Sequence, residues 1–137
     1  MTVTHTGEGL RFWVSSADDK DPYLVDMTAN NGLPVCACRD FQCRCQPKLD
    51  AGEKIKRYGH TNRTICKHVD LALMHVGVPV LQSLGFAEIE IIARDAGSRD
   101  FRQILLYLGA CVVADSTGKK VTDIYETHPA KTSIQEA

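Results

Sequence analysis

Two short stretches, Cys-Ala-Cys at residues 36–38 and Cys-Lys-His at residues 66–68, decide how this chain is expected to fold. They supply three thiols and one imidazole, which form a complete tetrahedral ligand set for zinc in structural sites. A closed four-ligand shell leaves no coordination position for a substrate. The pattern therefore favours a folded binding module over a catalytic metal centre, with one Zn²⁺ ion held by Cys36, Cys38, Cys66 and His68.

The interval between these ligand pairs contains further candidate ligands. Its 27 residues, 39–65, include a second thiol pair, Cys43 and Cys45. This pair could replace one of the expected pairs, complete a second site, or remain as free thiols. His60 could be an additional ligand, although we interpret it as an exposed loop residue. Four thiolates could hold an iron–sulfur cluster instead, but a histidine beside Cys66 favours zinc.

Length and composition bound the class of protein. The chain has 137 residues, 44% of them hydrophobic, which is enough for one small core. The first nine residues are polar, and no stretch approaches the roughly 20 apolar residues that a membrane span requires. We therefore expect an intracellular, cytoplasmic protein without membrane contact, with a nuclear location as the open alternative. In such reducing compartments cysteine clusters indicate metal sites rather than disulfides.

The first half of the chain predicts a β-hairpin followed by a helix. Residues 10–16 and 23–29 are rich in β-branched and aromatic side chains, as strands are, and the polar residues 17–22 form a turn between them. Thr64 is expected to cap a helix whose apolar positions follow a helical period. Gly77 and Pro79 are expected to end that helix.

The second half predicts a further layer of mixed structure. Residues 89–93 suggest a strand, and Ser98 begins a helix that carries an apolar stripe from Phe101 and ends at Gly109. Residues 110–115 and 120–125 flank a turn signal and predict a second hairpin.

The predicted fold class is thus α+β, a zinc-stabilised β-hairpin plus helix followed by a strand–helix–hairpin layer. Residues 1–78 form the zinc module, with a basic insertion at about 39–65. Residues 79–127 form a small α/β extension packed on this module, and residues 128–137 form a flexible tail.

Positive charge is concentrated in one segment. Residues 39–68 hold eight cations against three carboxylates, a net charge of +5, although the whole chain carries −1. The part from 46 to 62 has few apolar residues and no clear period, so we interpret it as an exposed or partly ordered loop. Cations in such a loop suit phosphate neutralisation. The predicted nucleic-acid contacts are Arg44, Lys48, Lys54, Lys56, Arg57 and Arg63.

The order of hairpin, Cys-x-Cys, insertion and Cys-x-His at a helix start resembles the SWIM-type zinc finger. The resemblance rests on the residues at 36–38, on Asp40-Phe41 and on 66–73, with two upstream strands, and it covers about residues 10–76. It implies that Cys36, Cys38, Cys66 and His68 bind one zinc ion. The family is linked with both DNA-binding and protein-binding roles.

No catalytic constellation stands out, because the chain lacks a phosphate-binding glycine loop and a nucleophile–base motif. We therefore do not expect an enzyme. The favoured function is a small zinc module that contacts nucleic acid, DNA rather than RNA, through the basic insertion. The alternative is a protein-interaction adaptor, or an accessory subunit of a DNA-processing complex of a phage or mobile element. An exposed hairpin edge at 120–125 and the charge of −6 outside residues 39–68 would support that alternative.

Overall fold

The computed structural model describes residues 2–15 and 21–127 and begins with a four-stranded antiparallel sheet. The strands follow chain order: β1 (Thr2–His5), β2 (Arg11–Ser15), β3 (Tyr23–Asn30) and β4 (Leu33–Cys36). The predicted hairpin of β2 and β3 is confirmed. The prediction was incomplete, because β1 and β4 extend this hairpin to a four-stranded sheet. Most of the predicted turn at 17–22 lies outside the described residues.

Alternation along the strands gives the sheet one buried face. Phe12 and Val14 are buried while Trp13, between them, is 44% exposed. Val25 and Met27 continue the buried face on β3, as expected for a sheet packed on one side. Asn31 and Gly32 (φ 54° and 87°) form the tight turn that joins β3 to β4.

The loop predicted at 46–62 is corrected at its start, which is helical, whereas residues 51–62 form turns and one isolated bridge without helix or strand. A five-residue π-helical turn, Phe41–Cys45, runs directly into α1 (Gln46–Asp50). Ile55 is fully buried and forms a parallel bridge with Tyr125, whose backbone lies near the end of the described chain. Burial of single apolar residues such as Leu49 and Ile55, rather than a periodic pattern, holds this segment against the core.

Helix α2 (Lys67–Gln82) starts at the second ligand pair. Thr64 does not cap it: Thr64 is fully buried, and its hydroxyl accepts from the Lys56 amide at 2.7 Å and donates to the Lys54 carbonyl at 2.8 Å. The predicted stop at Gly77 and Pro79 is also wrong, because the helix continues through both residues.

The rest of the chain is helical: α3 (Phe86–Ala96), α4 (Phe101–Ser116) and α5 (Val121–Ile124). The strand predicted at 89–93 lies inside α3, and the hairpin predicted at 110–125 is the end of α4 followed by α5. Asp100, rather than Ser98, caps α4 by accepting from the Arg102 amide at 2.9 Å. Gly109 does not end α4, and Phe101 is 64% exposed rather than part of the buried stripe.

The buried face of the sheet packs on α2, and α2 packs antiparallel on α4. The α+β class is therefore confirmed, with helices in place of the predicted second strand and hairpin. No helix among the described residues is both long and apolar enough to cross a membrane. The predicted tail, residues 128–137, lies outside the described part.

Candidate metal centre

The first ligand pair is placed by the end of the sheet. Cys36 closes β4 on the buried face, where Pro34 also points, and Cys36 is fully buried. Cys38 follows two residues later and is 4% exposed. The Ala37 amide donates to the Leu24 carbonyl at 3.3 Å, so pairing with β3 continues between the two thiols.

The second pair is placed by the start of α2. Cys66 is the N-cap residue with an extended backbone, and His68 lies in the first turn. The Asp70 amide donates to the Cys66 carbonyl at 3.0 Å, which begins the helical bonding pattern. The positive end of the helix dipole favours a thiolate at this cap.

These four side chains meet at one point inside the protein. Their ligand atoms all lie within 4.8 Å of one another, and all four residues are buried. His68 Nδ1 lies 3.8 Å from Cys36 Sγ and 3.8 Å from Cys66 Sγ. Tetrahedral zinc with its usual bond lengths would separate thiolate from imidazole ligands by about 3.6 Å and thiolates by about 3.8 Å. The cluster could therefore hold a metal ion with little movement.

Backbone donors and thiol–thiol contacts set the charge of the cluster. The Cys38 amide donates to Cys36 Sγ at 3.4 Å, and the Phe41 amide donates to Cys38 Sγ at 3.3 Å. Hydrogen bonds from Cys36 and Cys66 hold the pKa of Cys38 far below its usual range. Hydrogen bonding with Cys38 raises the pKa of Cys36 to about 12, and hydrogen bonds with Cys36 and Cys38 also raise the pKa of Cys66. One thiol therefore ionises readily, and the other two need a cation to do so.

His68 is oriented by packing. Its ring lies against Tyr23, with ring centroids 4.9 Å apart, and its Nε2 is buried without a hydrogen-bond partner among the described residues. Within the described ranges, the hydrogen-bond contacts of its Nδ1 are with the sulfur atoms of Cys36 and Cys66. A metal ion bound at Nδ1 would satisfy that nitrogen, which fits a neutral imidazole ligand protonated at Nε2.

The additional candidate ligands lie outside this cluster. Cys43 is exposed, whereas Cys45 is buried and its Sγ accepts from Arg63 Nη1 at 3.6 Å. Burial raises the pKa of Cys45 to about 11, which keeps this thiol neutral. His60 Nδ1 accepts from the Asn62 amide, and its Nε2 lies 3.8 Å from a Glu126 carboxylate oxygen.

Four of the six cations that were predicted to contact nucleic acid interact with other groups of the protein instead. Lys48 donates to the Arg63 carbonyl, Lys54 to the Thr122 carbonyl, and Lys56 to the Glu53 carboxylate. The Arg63 side chain is only 21% exposed and pairs with Asp40. Of the other two, Arg44 forms a long ion pair with Asp40, at 3.9 Å, and its side chain is 75% exposed; Arg57 has no ion-pair partner among the described residues.

Two exposed cations beside the ligands were not among those predicted contacts. Arg39 follows Cys38, and Lys67 lies between Cys66 and His68; neither forms an ion pair within the described ranges. Their position next to ligand residues is the sequence signal that could have identified them.

Neighbouring cavities are lined by Arg39, Arg44, Lys67 and the half-buried Arg57, and their walls also include Asp40, Asp70 and Asp100. A cavity of about 240 Å³ opens beside the ligands and is lined by Arg44, Lys67 and Tyr58 in addition to Cys38, Cys66 and His68. Arg39 and Arg44 line a second cavity next to it, and Arg57 and Tyr58 line a third. We call the four cations Arg39, Arg44, Arg57 and Lys67 the basic rim.

Comparison with protein-family models, with curated proteins and with solved structures finds no match to this chain.

Proposed function

We propose that this chain is a structural zinc module whose ion is held by Cys36, Cys38, Cys66 and His68. The observation that carries the proposal is the burial of four ligand atoms within 4.8 Å at the junction of β4 and α2. Soft thiolates with one imidazole are the donor set that favours zinc over magnesium or calcium. The same ligand order supports a finger of the SWIM type.

The role of the ion in this proposal is mechanical. Four protein ligands complete a tetrahedral shell, so the ion has no open position for a substrate and its role in this proposal is structural rather than catalytic. The ion ties the end of the sheet to the start of α2 and fixes both ends of the segment between them. Thiolate ligation fits a reducing compartment, so we place the protein inside the cell, in the cytoplasm or the nucleus.

We further propose that the module contacts nucleic acid, with DNA favoured over RNA, through the basic rim. Adjoining cavities connect its four cations, and Tyr58, 41% exposed, lines two of these cavities with the Arg63 guanidinium over its ring. This surface differs from the sequence-based set, because Lys48, Lys54, Lys56 and Arg63 are bound to other parts of the protein, whereas Arg39 and Lys67 are added.

The alternative is a protein-interaction adaptor, such as an accessory subunit of a DNA-processing complex. Exposed apolar side chains favour it: Phe86 is 90% exposed, Phe101 64% and Ile91 51%. The hairpin edge expected at 120–125 no longer supports it, since α5 occupies residues 121–124.

Two measurements test the proposal in order. Native mass spectrometry with elemental analysis should find one zinc ion per chain in the wild type and none in a Cys66→Ser, His68→Ala variant. A folded wild type without metal would refute the zinc module.

The second measurement is the salt dependence of binding to a DNA duplex. Affinity should fall linearly in log salt, and Arg44→Ala with Lys67→Ala should reduce the slope by about 2. Arg94→Ala with Lys120→Ala removes the same charge from exposed sites on α3 and before α5, and should leave the slope unchanged. An affinity that does not change with salt concentration, or an equal change of slope in the two double variants, would favour the adaptor.

A further inference from the structure

The two ligand pairs are joined by a second link that contains no metal. Asp40 follows Cys38 by two residues, and Arg63 precedes Cys66 by three. The side chains of Asp40 and Arg63 meet beside the cluster, so they connect the segment that leaves the sheet with the segment that enters α2.

The contact has fork geometry. Arg63 Nη1 donates to Asp40 Oδ2 at 2.9 Å, and Arg63 Nη2 donates to Asp40 Oδ1 at 2.9 Å. Two parallel charge-assisted hydrogen bonds of this kind fix both the distance and the relative orientation of the guanidinium and the carboxylate. A lysine ammonium would fix the distance alone.

Other groups hold the guanidinium in place from several sides. Arg63 Nη1 also donates to the Ile65 carbonyl at 3.0 Å and to Cys45 Sγ at 3.6 Å. The guanidinium carbon lies 5.0 Å from the centre of the Tyr58 ring. Arg63 is therefore committed to this position, which removes it from the set available to phosphate.

We propose that Asp40 and Arg63 form a positioning clamp that holds the two ligand pairs at coordinating distance and thereby sets how tightly zinc is retained. The inference rests on the proposed zinc site. Without the clamp, metal binding would have to order the residues around Asp40 and Ile65 at the moment of coordination, and affinity would fall by that cost. Cys45 takes part as a neutral thiol acceptor for Arg63 rather than as a ligand.

The test is zinc affinity and dissociation rate, measured by competition with a chelator, for Arg63→Lys, Asp40→Asn and the double variant. Each single variant should lose about tenfold in affinity, as for other groups that orient metal ligands. The double variant should lose less than the product of the two, since the residues act together. Cobalt-substituted protein should keep its three-thiolate absorption spectrum in all three, because the ligands are unchanged.

Arg44→Lys is the matched control. Arg44 also approaches Asp40, at 3.9 Å, but its side chain is 75% exposed and makes no fork. Its zinc affinity should stay within about twofold of wild type.

If the clamp only stabilised the fold, its removal would lower the unfolding free energy of zinc-loaded and zinc-free protein equally and leave zinc affinity unchanged, which would overturn the proposal. Fully multiplicative losses in the double variant would overturn it too. If Arg63→Lys does not fold, Asp40→Glu, which keeps the charge and displaces the carboxylate, serves the same test. A wild type that binds no zinc would instead refute the proposed function.

Discussion

A Cβ atom placed on Gly109 would lie 2.0 Å from the carbonyl oxygen of Leu73. The reciprocal position is equally tight, because a Cβ atom on Gly77 would lie 2.3 Å from the carbonyl oxygen of Leu105. Helices α2 and α4 thus touch backbone to backbone at two points, and both contacts require glycine.

Substitution of Gly109 by alanine should therefore force the two helices apart. We expect a loss of about 2–4 kcal/mol in the free energy of unfolding, since the obstructing atoms are backbone and cannot rotate away. Urea unfolding followed by circular dichroism measures it. Gly59→Ala is the control, because its Cβ atom would meet only an Arg57 nitrogen at 3.7 Å; equal losses in the two variants would contradict the packing argument.

Removal of the metal should weaken the junction between the sheet and α2. We expect Cys66→Ser, or treatment with a strong chelator, to lower the unfolding free energy on the order of 5 kcal/mol. Cys43→Ser should behave as wild type, because Cys43 is exposed and lies outside the ligand cluster. Calorimetry with and without chelator gives both values; a chelator effect that persists in Cys66→Ser and disappears in Cys43→Ser would show that Cys43 binds the metal and Cys66 does not.

The hydroxyl of Thr64 holds together the segment that leads into the second ligand pair. Thr64→Val keeps the shape but leaves the Lys56 amide and the Lys54 carbonyl without this partner. We expect a loss of about 1–3 kcal/mol and faster proteolysis within residues 52–62. Thr64→Ser, which keeps the hydroxyl, should lose clearly less; a Val variant as stable as Ser would show that the hydroxyl contributes nothing.

Alkaline pH should destabilise the protein through buried phenols. Burial raises the pKa of Tyr125 to about 12 and that of Tyr107 to about 12, and the two rings lie 6.2 Å apart. An unfolded phenol ionises near pH 10, so the unfolded chain binds fewer protons than the folded one between about pH 10 and 12. Stability must fall as pH rises through this window.

Tyr125→Phe removes one of these titrations and should flatten the decline relative to wild type. Urea unfolding at pH 9, 10 and 11 measures the difference between the two proteins, in which the titration of lysines cancels. If the unfolding free energies of the two proteins declined in parallel with pH, Tyr125 would have the same pKa in the folded and the unfolded state.

Local patterns predicted the elements whose contacts are local. The alternation around Phe12 and the spacing of the four ligands lie within short windows, and both the hairpin and the ligand cluster appear where the sequence placed them. Strand β1 was missed because its four residues contain one apolar side chain, Val3, which is too little for a periodic signal.

The incorrect predictions share a different cause. Ile89 to Ala93 suits either a strand or an amphipathic helix, and the helix is decided by Glu88 bonding the Gly85 amide and by Gly97 at φ 79°. Gly77 and Gly109 were interpreted as helix ends, although they serve a contact between helices that are distant in sequence. A single sequence does not distinguish these two uses of glycine.

The parallel bridge between Ile55 and Tyr125 has a consequence for the order in which the protein folds. The two residues are 70 positions apart, whereas all four ligands lie between residues 36 and 68. During synthesis the sheet and the ligand cluster can therefore assemble while α4 and α5 are still to be made. The segment around Ile55 cannot form its bridge until Tyr125 has been synthesised. Closing the loop between these two residues is therefore expected to be the slow, late step of folding.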